Sequence, residues 1–262
     1  MTPKLSYLEF LARKAGEILR AGYGRRHQVD YKGSINPVTE VDRQSEAFLL
    51  DEIRRSFPEH RILAEESGSQ VGDECCIWYV DPLDGTLNYA HDIPFFAVSL
   101  AFEMEGEMRL SVIYDPLRDE CFSAERGMGA WLNGTPIRVS GTQDLLHSLL
   151  VTGFAYDIHE NPDNNLDHYA RLNLLTQGVR RLGSAALDQA YVACGRLDGF
   201  WELRLGAWDV AAGGLIAQEA GETVTDMHGN PDYLAPPHSI LVANPHIHPL
   251  MLAEFKKGAY FK

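Results

Sequence analysis

The stretch Ile77-Trp78-Tyr79-Val80-Asp81-Pro82-Leu83-Asp84-Gly85-Thr86 decides how the rest of the chain is read. Its first four residues are aromatic, β-branched or aliphatic, the composition of a buried strand. The run ends in two aspartates three residues apart, with Pro82 fixing the backbone between them. Both carboxylates and the Leu83 carbonyl can then converge on one spot beyond the strand. Hard oxygen donors of that kind suit magnesium or calcium. Gly85-Thr86 opens a turn or short helix whose backbone N–H groups can hold an anionic phosphate. Asp-Gly and Pro are also ordinary turn residues, so this stretch alone is compatible with a capped β-turn.

Three other segments carry carboxylates in organised settings. Ala64-Glu65-Glu66-Ser67 follows Ile62-Leu63, again placing acids at the end of an expected strand. A buried carboxylate there is costly without a cation, although a lone Glu-Glu pair reads as a solvated turn. Trp208-Asp209-Val210-Ala211-Ala212-Gly213-Gly214 puts Asp209 at a helix N-terminus, ahead of small residues that allow close packing. In Pro37-Val38-Thr39-Glu40-Val41-Asp42, Thr39 is the expected N-cap of a helix and Asp42 occupies its capping-box position.

Outward from these segments, apolar residues recur at helical spacing over residues 5–19, and a second helix is expected from Thr39 to about Phe57. Strands are expected over 95–102 and 108–114, around a polar turn, and again at 121–124 and near Trp131 with its Asn133-Gly134 turn. This half is α+β. Beyond Thr142 the pattern becomes α/β, with helices expected at 165–176, 184–194 and 208–219, strands at 199–203 and 239–242, and a final helix from about His248. No flexible linker intervenes. The expectation is one domain over 1–262, with subdomains of about 1–142 and 143–262 sharing a cleft.

The 262 residues are 45% hydrophobic and 23% charged, ordinary for a globular protein. A net charge of -14 argues against nucleic acid as a partner. Cys75, Cys76, Cys121 and Cys194 have neither zinc-site nor disulfide-framework spacing. Lys4, Glu9, Arg13 and Lys14 interrupt any apolar leader, and no run approaches the roughly 20 apolar residues of a membrane span. The expected location is a reducing cytoplasm, away from membranes.

Taken jointly, Glu65-Glu66-Ser67, Asp81-Pro82-Leu83-Asp84-Gly85-Thr86-Leu87-Asn88-Tyr89 and Trp208-Asp209-Val210-Ala211-Ala212-Gly213 resemble the signature motifs of the inositol monophosphatase family. The likeness extends through Phe95-Ala97-Val98-Ser99, Gly127-Gly129-Ala130-Trp131-Asn133-Gly134 and Gly183-Ser184-Ala185-Ala186, so it covers nearly the whole chain. It implies a layered αβαβα sandwich of the inositol monophosphatase and fructose-1,6-bisphosphatase type. It further implies two or three magnesium ions held by Glu65, Asp81, Asp84, Asp209 and the Leu83 carbonyl. Thr86 and Asp42 would orient and help deprotonate the attacking water, with Glu65 in the catalytic group. Leu83, Asp84, Gly85, Thr86 and Asp209 would surround the phosphate. Gly183, Ser184, Ala185 and Glu202 match positions near the substrate's hydroxyls, and Arg180 matches an arginine that reaches the site in bacterial relatives. Asn36 departs from an aspartate that many members carry before Val38-Thr39.

The implied reaction is magnesium-dependent hydrolysis of a small phosphorylated polyol, inositol 1-phosphate first, by metal-activated water. Two metals answer the difficulty of bringing an anionic nucleophile to an anionic phosphate, and no covalent Ser or Cys nucleophile is needed. Fructose-1,6-bisphosphatase and histidinol-phosphatase activities are the rivals within the enzyme class. A non-catalytic regulatory or scaffold role in transcription or ribosome assembly is the rival outside it. A homodimer and lithium sensitivity are expected from the same resemblance. His246-Ile247-His248 reads as an exposed loop, Cys194 as a small core residue, and Arg25-Arg26-His27 as solvated. Trp201, next to Glu202, is divided between lining the cleft and a core or interface role.

Overall fold

The computed structural model describes residues 2–25, 29–31, 37–162 and 164–257. Its first half runs α1 (Leu5–Gly22), β1 (Val29–Tyr31), β2 (Pro37–Thr39), α2 (Glu40–Ser56), β3 (His60–Ala64), β4 (Gly68–Gln70), β5 (Asp73–Asp84), α3 (Thr86–Ala90), β6 (Ala97–Met104), β7 (Glu107–Asp115), β8 (Glu120–Glu125), β9 (Gly129–Leu132) and β10 (Thr135–Pro136). The second half runs β11 (Leu149–Thr152), α4 (Leu166–Leu175), β12 (Gly178–Arg180), α5 (Ala185–Ala193), β13 (Gly199–Leu203), α6 (Ala207–Ala220), β14 (Thr223–Thr225), β15 (Ser239–Ala243) and α7 (Ile247–Phe255).

Strands β3 to β10 form an eight-stranded sheet in the order β10-β9-β8-β7-β6-β5-β3-β4, antiparallel except where β3 lies parallel to β5. Strands β11 to β15 form a five-stranded sheet in the order β12-β11-β13-β15-β14, with β11 parallel to both its neighbours. Helices α1 and α2 cover the outer face of the large sheet, and α5 and α6 fill the space between the sheets. Helices α4 and α7 cover the outer face of the small sheet. The order of layers is therefore αβαβα.

Sequence pattern explains each layer. Leu8, Leu11, Ala12, Ala15 and Leu19 put one apolar face of α1 on the sheet, and its other face is mostly polar, with Phe10 exposed. Helix α6 is instead buried on nearly all sides from Val210 to Ala217, as a helix between two sheets must be. Period-two alternation divides β13 in the same way: Phe200 enters the middle core, Trp201 the outer core under α4 and α7, and Glu202 faces inward again. Trp201 is thus core, its indole N–H donating to Asn165 Oδ1 at 2.6 Å.

Several boundaries shift. Strand β5 begins at Asp73, before the apolar run, because Asp73 already pairs with His60 of β3, and pairing with β6 follows from Cys76. His248 is buried on α7 with Nε2 2.9 Å from Thr225 Oγ1, so the segment expected as an exposed loop starts a helix instead. Cys194 is the half-buried C-cap of α5. Asn36, Arg26 and His27 lie outside the described residues. No helix among the described residues is long and apolar enough to cross a membrane.

Candidate active site

In a regular strand, residues three apart point to opposite faces. Asp81 and Asp84 do not, because the ladder slips between them. Asp81 opposes Ser99 while Asp84 opposes Ala97, three steps on β5 against two on β6. This bulge turns both carboxylates to one side. The Leu83 N–H donates to Asp81 Oδ1 at 3.0 Å, and the Ser45 hydroxyl of α2 holds the Pro82 carbonyl at 2.9 Å.

Parallel pairing brings the third carboxylate. Ala64 pairs with Val80, so Glu65 and Asp81 are the next residues at the ends of adjacent strands. The Glu65 N–H donates to the Val80 carbonyl at 3.1 Å. Buried Glu46 of α2 accepts from the Glu66 N–H at 2.9 Å and fixes that turn.

The fourth comes from across the cleft. Asp209 is in the first turn of α6 and its Oδ2 accepts from the Gly206 N–H at 2.6 Å. Ligand oxygens of Asp81, Asp84 and Asp209 all lie within 4.8 Å of one another. Burial first, then the charges of Glu65, Asp84 and Asp209, hold the Asp81 carboxyl well above its ordinary range. Burial and then Glu65 and Asp84 do the same to Asp209. Burial also raises Asp84, opposed by hydrogen bonds from the Ser184 hydroxyl and from the backbone of α5. The Ser184 hydroxyl and the Ala186 N–H meet Asp84 Oδ2, the latter at 2.9 Å, and the Ala185 N–H lies 3.2 Å from Oδ1.

Thr86, the first residue of α3, lies with Oγ1 3.0 Å from both Asp42 Oδ1 and the Leu83 carbonyl. Asp42 Oδ2 accepts from the Thr39 N–H at 2.9 Å and from its hydroxyl at 2.5 Å, completing the capping box of α2. Gly85 has φ 94°, and a Cβ there would stand 3.1 Å from the Phe95 carbonyl oxygen and 3.2 Å from that of Gly183. Glycine is therefore required at this turn. Asn88 Nδ2 donates to the Phe95 and Leu182 carbonyls, both at 2.8 Å, and ties α3 to the loop before α5.

These groups line a cleft of about 270 Å³ between the sheets' ends. Of the residues expected from sequence, Glu65, Asp81, Leu83, Asp84, Gly85, Thr86, Gly183, Ser184, Ala185, Glu202 and Asp209 all line it. Asp42 stands behind Thr86. Arg180 does not line the cleft: it ends β12, and the next residue, Arg181, lines it together with Arg204. A one-residue step along an extended chain reverses the side-chain direction. Asp188, Tyr156 and Trp208 also line the cleft and were not anticipated. Asp188 sits in the first turn of α5, where an acid ordinarily reads as dipole compensation.

The donor set is all oxygen, buried or half-buried, and mutually repulsive, and a hard divalent cation answers each of those features. A magnesium site fits these residues.

Residues 4–259 match the model of the inositol monophosphatase family. The chain is 42% identical to a Nus factor SuhB of Salmonella typhimurium over 259 residues, covering 98% of this chain and 97% of that one. It is 47% identical to an inositol-1-monophosphatase of Synechocystis over 237 residues, covering 89% and 82%. Its fold superposes on the crystal structure of the extragenic suppressor protein suhB of Bartonella henselae with a TM-score of 0.89, at 41% identity over 95% and 96% of the two chains.

Proposed function

The chain belongs to the inositol monophosphatase family, and on that premise we propose that it hydrolyses phosphate monoesters of small polyhydroxylated alcohols, inositol 1-phosphate foremost. The observation that carries this reading is the convergence of the Asp81, Asp84 and Asp209 oxygens within 4.8 Å, beside Glu65 and the Thr86–Asp42 pair. Glu65, Asp81, Asp84, Asp209 and the Leu83 carbonyl would hold two or three magnesium ions. Such ions, when bound, neutralise phosphate charge and make a water acidic.

The chain's own groups do the rest. The amides of Gly85, the N-cap of α3, and of Thr86, its first residue, lack intrahelical acceptors and face the phosphate. Thr86 Oγ1 orients the attacking water, takes its proton and passes its own to Asp42 Oδ1. Water oxygen joins phosphorus, the ester P–O bond breaks, and the departing alcohol oxygen takes a proton from solvent. Ser184 and the first amides of α5 hold Asp84 in place throughout. Glu202 accepts from hydroxyls of the alcohol part. A homodimer and lithium sensitivity go with this reading.

The test is phosphate release from inositol 1-phosphate, fructose 1,6-bisphosphate and histidinol phosphate, with magnesium, with EDTA, and with Asp84→Asn. Turnover that needs magnesium and is lost in the variant supports the reading. No turnover of any ester with magnesium present overturns it.

A second reading rests on the name Nus factor borne by relatives 42% identical over nearly the full chain. Under it, the fold serves the transcription machinery. That name also removes support for excluding nucleic acid from the charge of -14 alone, since charge is an average over the surface. Binding of purified RNA polymerase, undiminished by Asp84→Asn, supports this role. Absence of binding by the wild-type chain removes it.

A further inference from the structure

Asp188 is 1% exposed, lines the cleft, and its Oδ1 has no hydrogen-bond partner among the described residues. A buried carboxyl oxygen without a partner is destabilising, so its retention asks for a ligand. The same cleft wall carries Glu202, 8% exposed, which occupies the space a side chain on residue 153 would need. A Cβ on Gly153 would fall 2.1 Å from Glu202 Oε2. Glycine there leaves Glu202 its place beside Asp188.

We infer that Asp188 is a specificity-determining residue, forming with Glu202 a two-carboxyl floor that receives neighbouring hydroxyls of the substrate's alcohol part. The inference rests on the phosphatase reading and deepens it. Helix α5 supplies the geometry. Ser184 and the amides of Ala185 and Ala186 grip Asp84 at the phosphate end, and Asp188 projects from the same rigid turn. Asp188 lies three residues beyond Ala185, about 4.5 Å of helical rise.

A hydroxyl suits this floor better than an ammonium. Arg181 lines the same cleft, and its charge opposes the effect of burial on both acids. Burial, followed by Asp84, pushes Glu202 up to about 8, and burial, then Glu202, raises Asp188 well above the ordinary range. Burial favours the protonated carboxyl, which can donate as well as accept; that matches a hydroxyl, whereas an ammonium only donates.

The test compares wild type with Asp188→Asn and Asp188→Ala, all with magnesium. kcat/KM is measured for inositol 1-phosphate, for p-nitrophenyl phosphate, which has no neighbouring hydroxyl, and for histidinol phosphate, which has an ammonium. The ratio of inositol ester to aryl ester should fall tenfold or more in Asp188→Ala and less in Asp188→Asn, which keeps one acceptor. Binding of inositol 1-phosphate by calorimetry, with calcium replacing magnesium, should weaken in parallel. An unchanged ratio with unchanged binding overturns the inference, as does a larger loss on histidinol phosphate. If wild type hydrolyses none of the esters, the phosphatase reading fails by itself; weakened calorimetric binding in the variants then still upholds the floor, and unweakened binding removes it. The melting temperature of Asp188→Asn should equal or exceed wild type, because the amide keeps the shape of the carboxyl and cannot ionise.

Discussion

The hydroxyl of Thr86 lies 3.0 Å from Oδ1 of Asp42, a residue 44 positions earlier on a different helix. Asp42 spends its other oxygen on Thr39, so one carboxylate both caps α2 and faces the reacting end of α3. The two roles separate in Asp42→Asn. If the amide keeps its oxygen toward the Thr39 N–H, its NH₂ faces Thr86 and cannot take a proton. kcat should fall by about 10²–10⁴-fold, the range for a lost general base. The magnesium dependence of the residual rate should stay near wild type, because Asp42 is outside the proposed ligand set. A kcat within threefold of wild type would reduce the contact to a helix cap.

Asp81, Asp84 and Asp209 all titrate above their ordinary range in the folded chain. A raised carboxyl binds protons more tightly when folded than when unfolded. Its stabilisation is complete below about pH 4 and is lost as pH rises through the raised values. In EDTA the melting temperature should therefore decline from mildly acidic pH towards pH 8. Magnesium at a hundred times its dissociation constant adds about 2.7 kcal/mol, or about 5–10 °C for a chain of this size. The gap between magnesium and EDTA melts should widen as pH rises, and shrink in Asp84→Asn. A gap independent of pH would contradict the cluster's electrostatics.

What the sequence made legible follows the range over which each feature is determined. Asp81 and Asp84 were readable because Pro82 and Gly85 fix their turn locally. Thr39 and Asp42 were readable as a capping box, for the same reason. That Glu65 stands next to Asp81 depends on parallel pairing of β3 with β5, which spacing alone does not reveal. The contact of Thr86 with Asp42 needs α2 packed against β5, and only the resemblance pointed to it. Arg181 was missed for its neighbour Arg180 because side-chain direction in an extended segment turns on a single residue. Asp188 was missed because its burial arises only when α5 is enclosed between two sheets. His248 was misread because flanking prolines suggested a loop, whereas Asn244 caps the segment: its Oδ1 accepts from the His246 and Ile247 amides, both at 2.9 Å.

Glu222, remote from the cleft and just before β14, is 8% exposed, and neither carboxyl oxygen has a partner among the described residues. Burial, then the charge of Asp198, pushes it up to about 9. Its contribution to stability is fully present below the unfolded pKa of about 4.3 and is lost as pH climbs towards 9. Glu222→Gln removes the titration and keeps the shape. At pH 8 it should stabilise the fold by about 1–3 kcal/mol, the penalty of an unsatisfied buried group, and at pH 5 by much less. Urea unfolding at both values measures the difference. Equal stabilities of variant and wild type at pH 8 would show that Glu222 is solvated.

Small residues in α6 set how closely the middle layer packs, and Gly213 is where that closeness reaches the site. A Cβ on Gly213 would stand 2.4 Å from Gln189 Oε1 and 2.7 Å from Gln189 Cβ, so a rotamer change cannot relieve the overlap. Gln189 in turn donates to the Ala185 carbonyl at 3.0 Å and the Asp209 carbonyl at 2.7 Å, linking the helix that grips Asp84 to the helix that carries Asp209. Gly213→Ala must push α5 and α6 apart, at about 1–3 kcal/mol for an overpacked core. The same shift separates Asp209 from Asp84. The magnesium concentration for half-maximal activity should therefore rise by about tenfold or more, given that 1.4 kcal/mol of lost binding is one factor of ten. Isothermal titration of magnesium into the variant measures this without relying on turnover. A variant that loses stability but keeps wild-type magnesium affinity would place the coupling between the carboxylates elsewhere than in the α5–α6 contact.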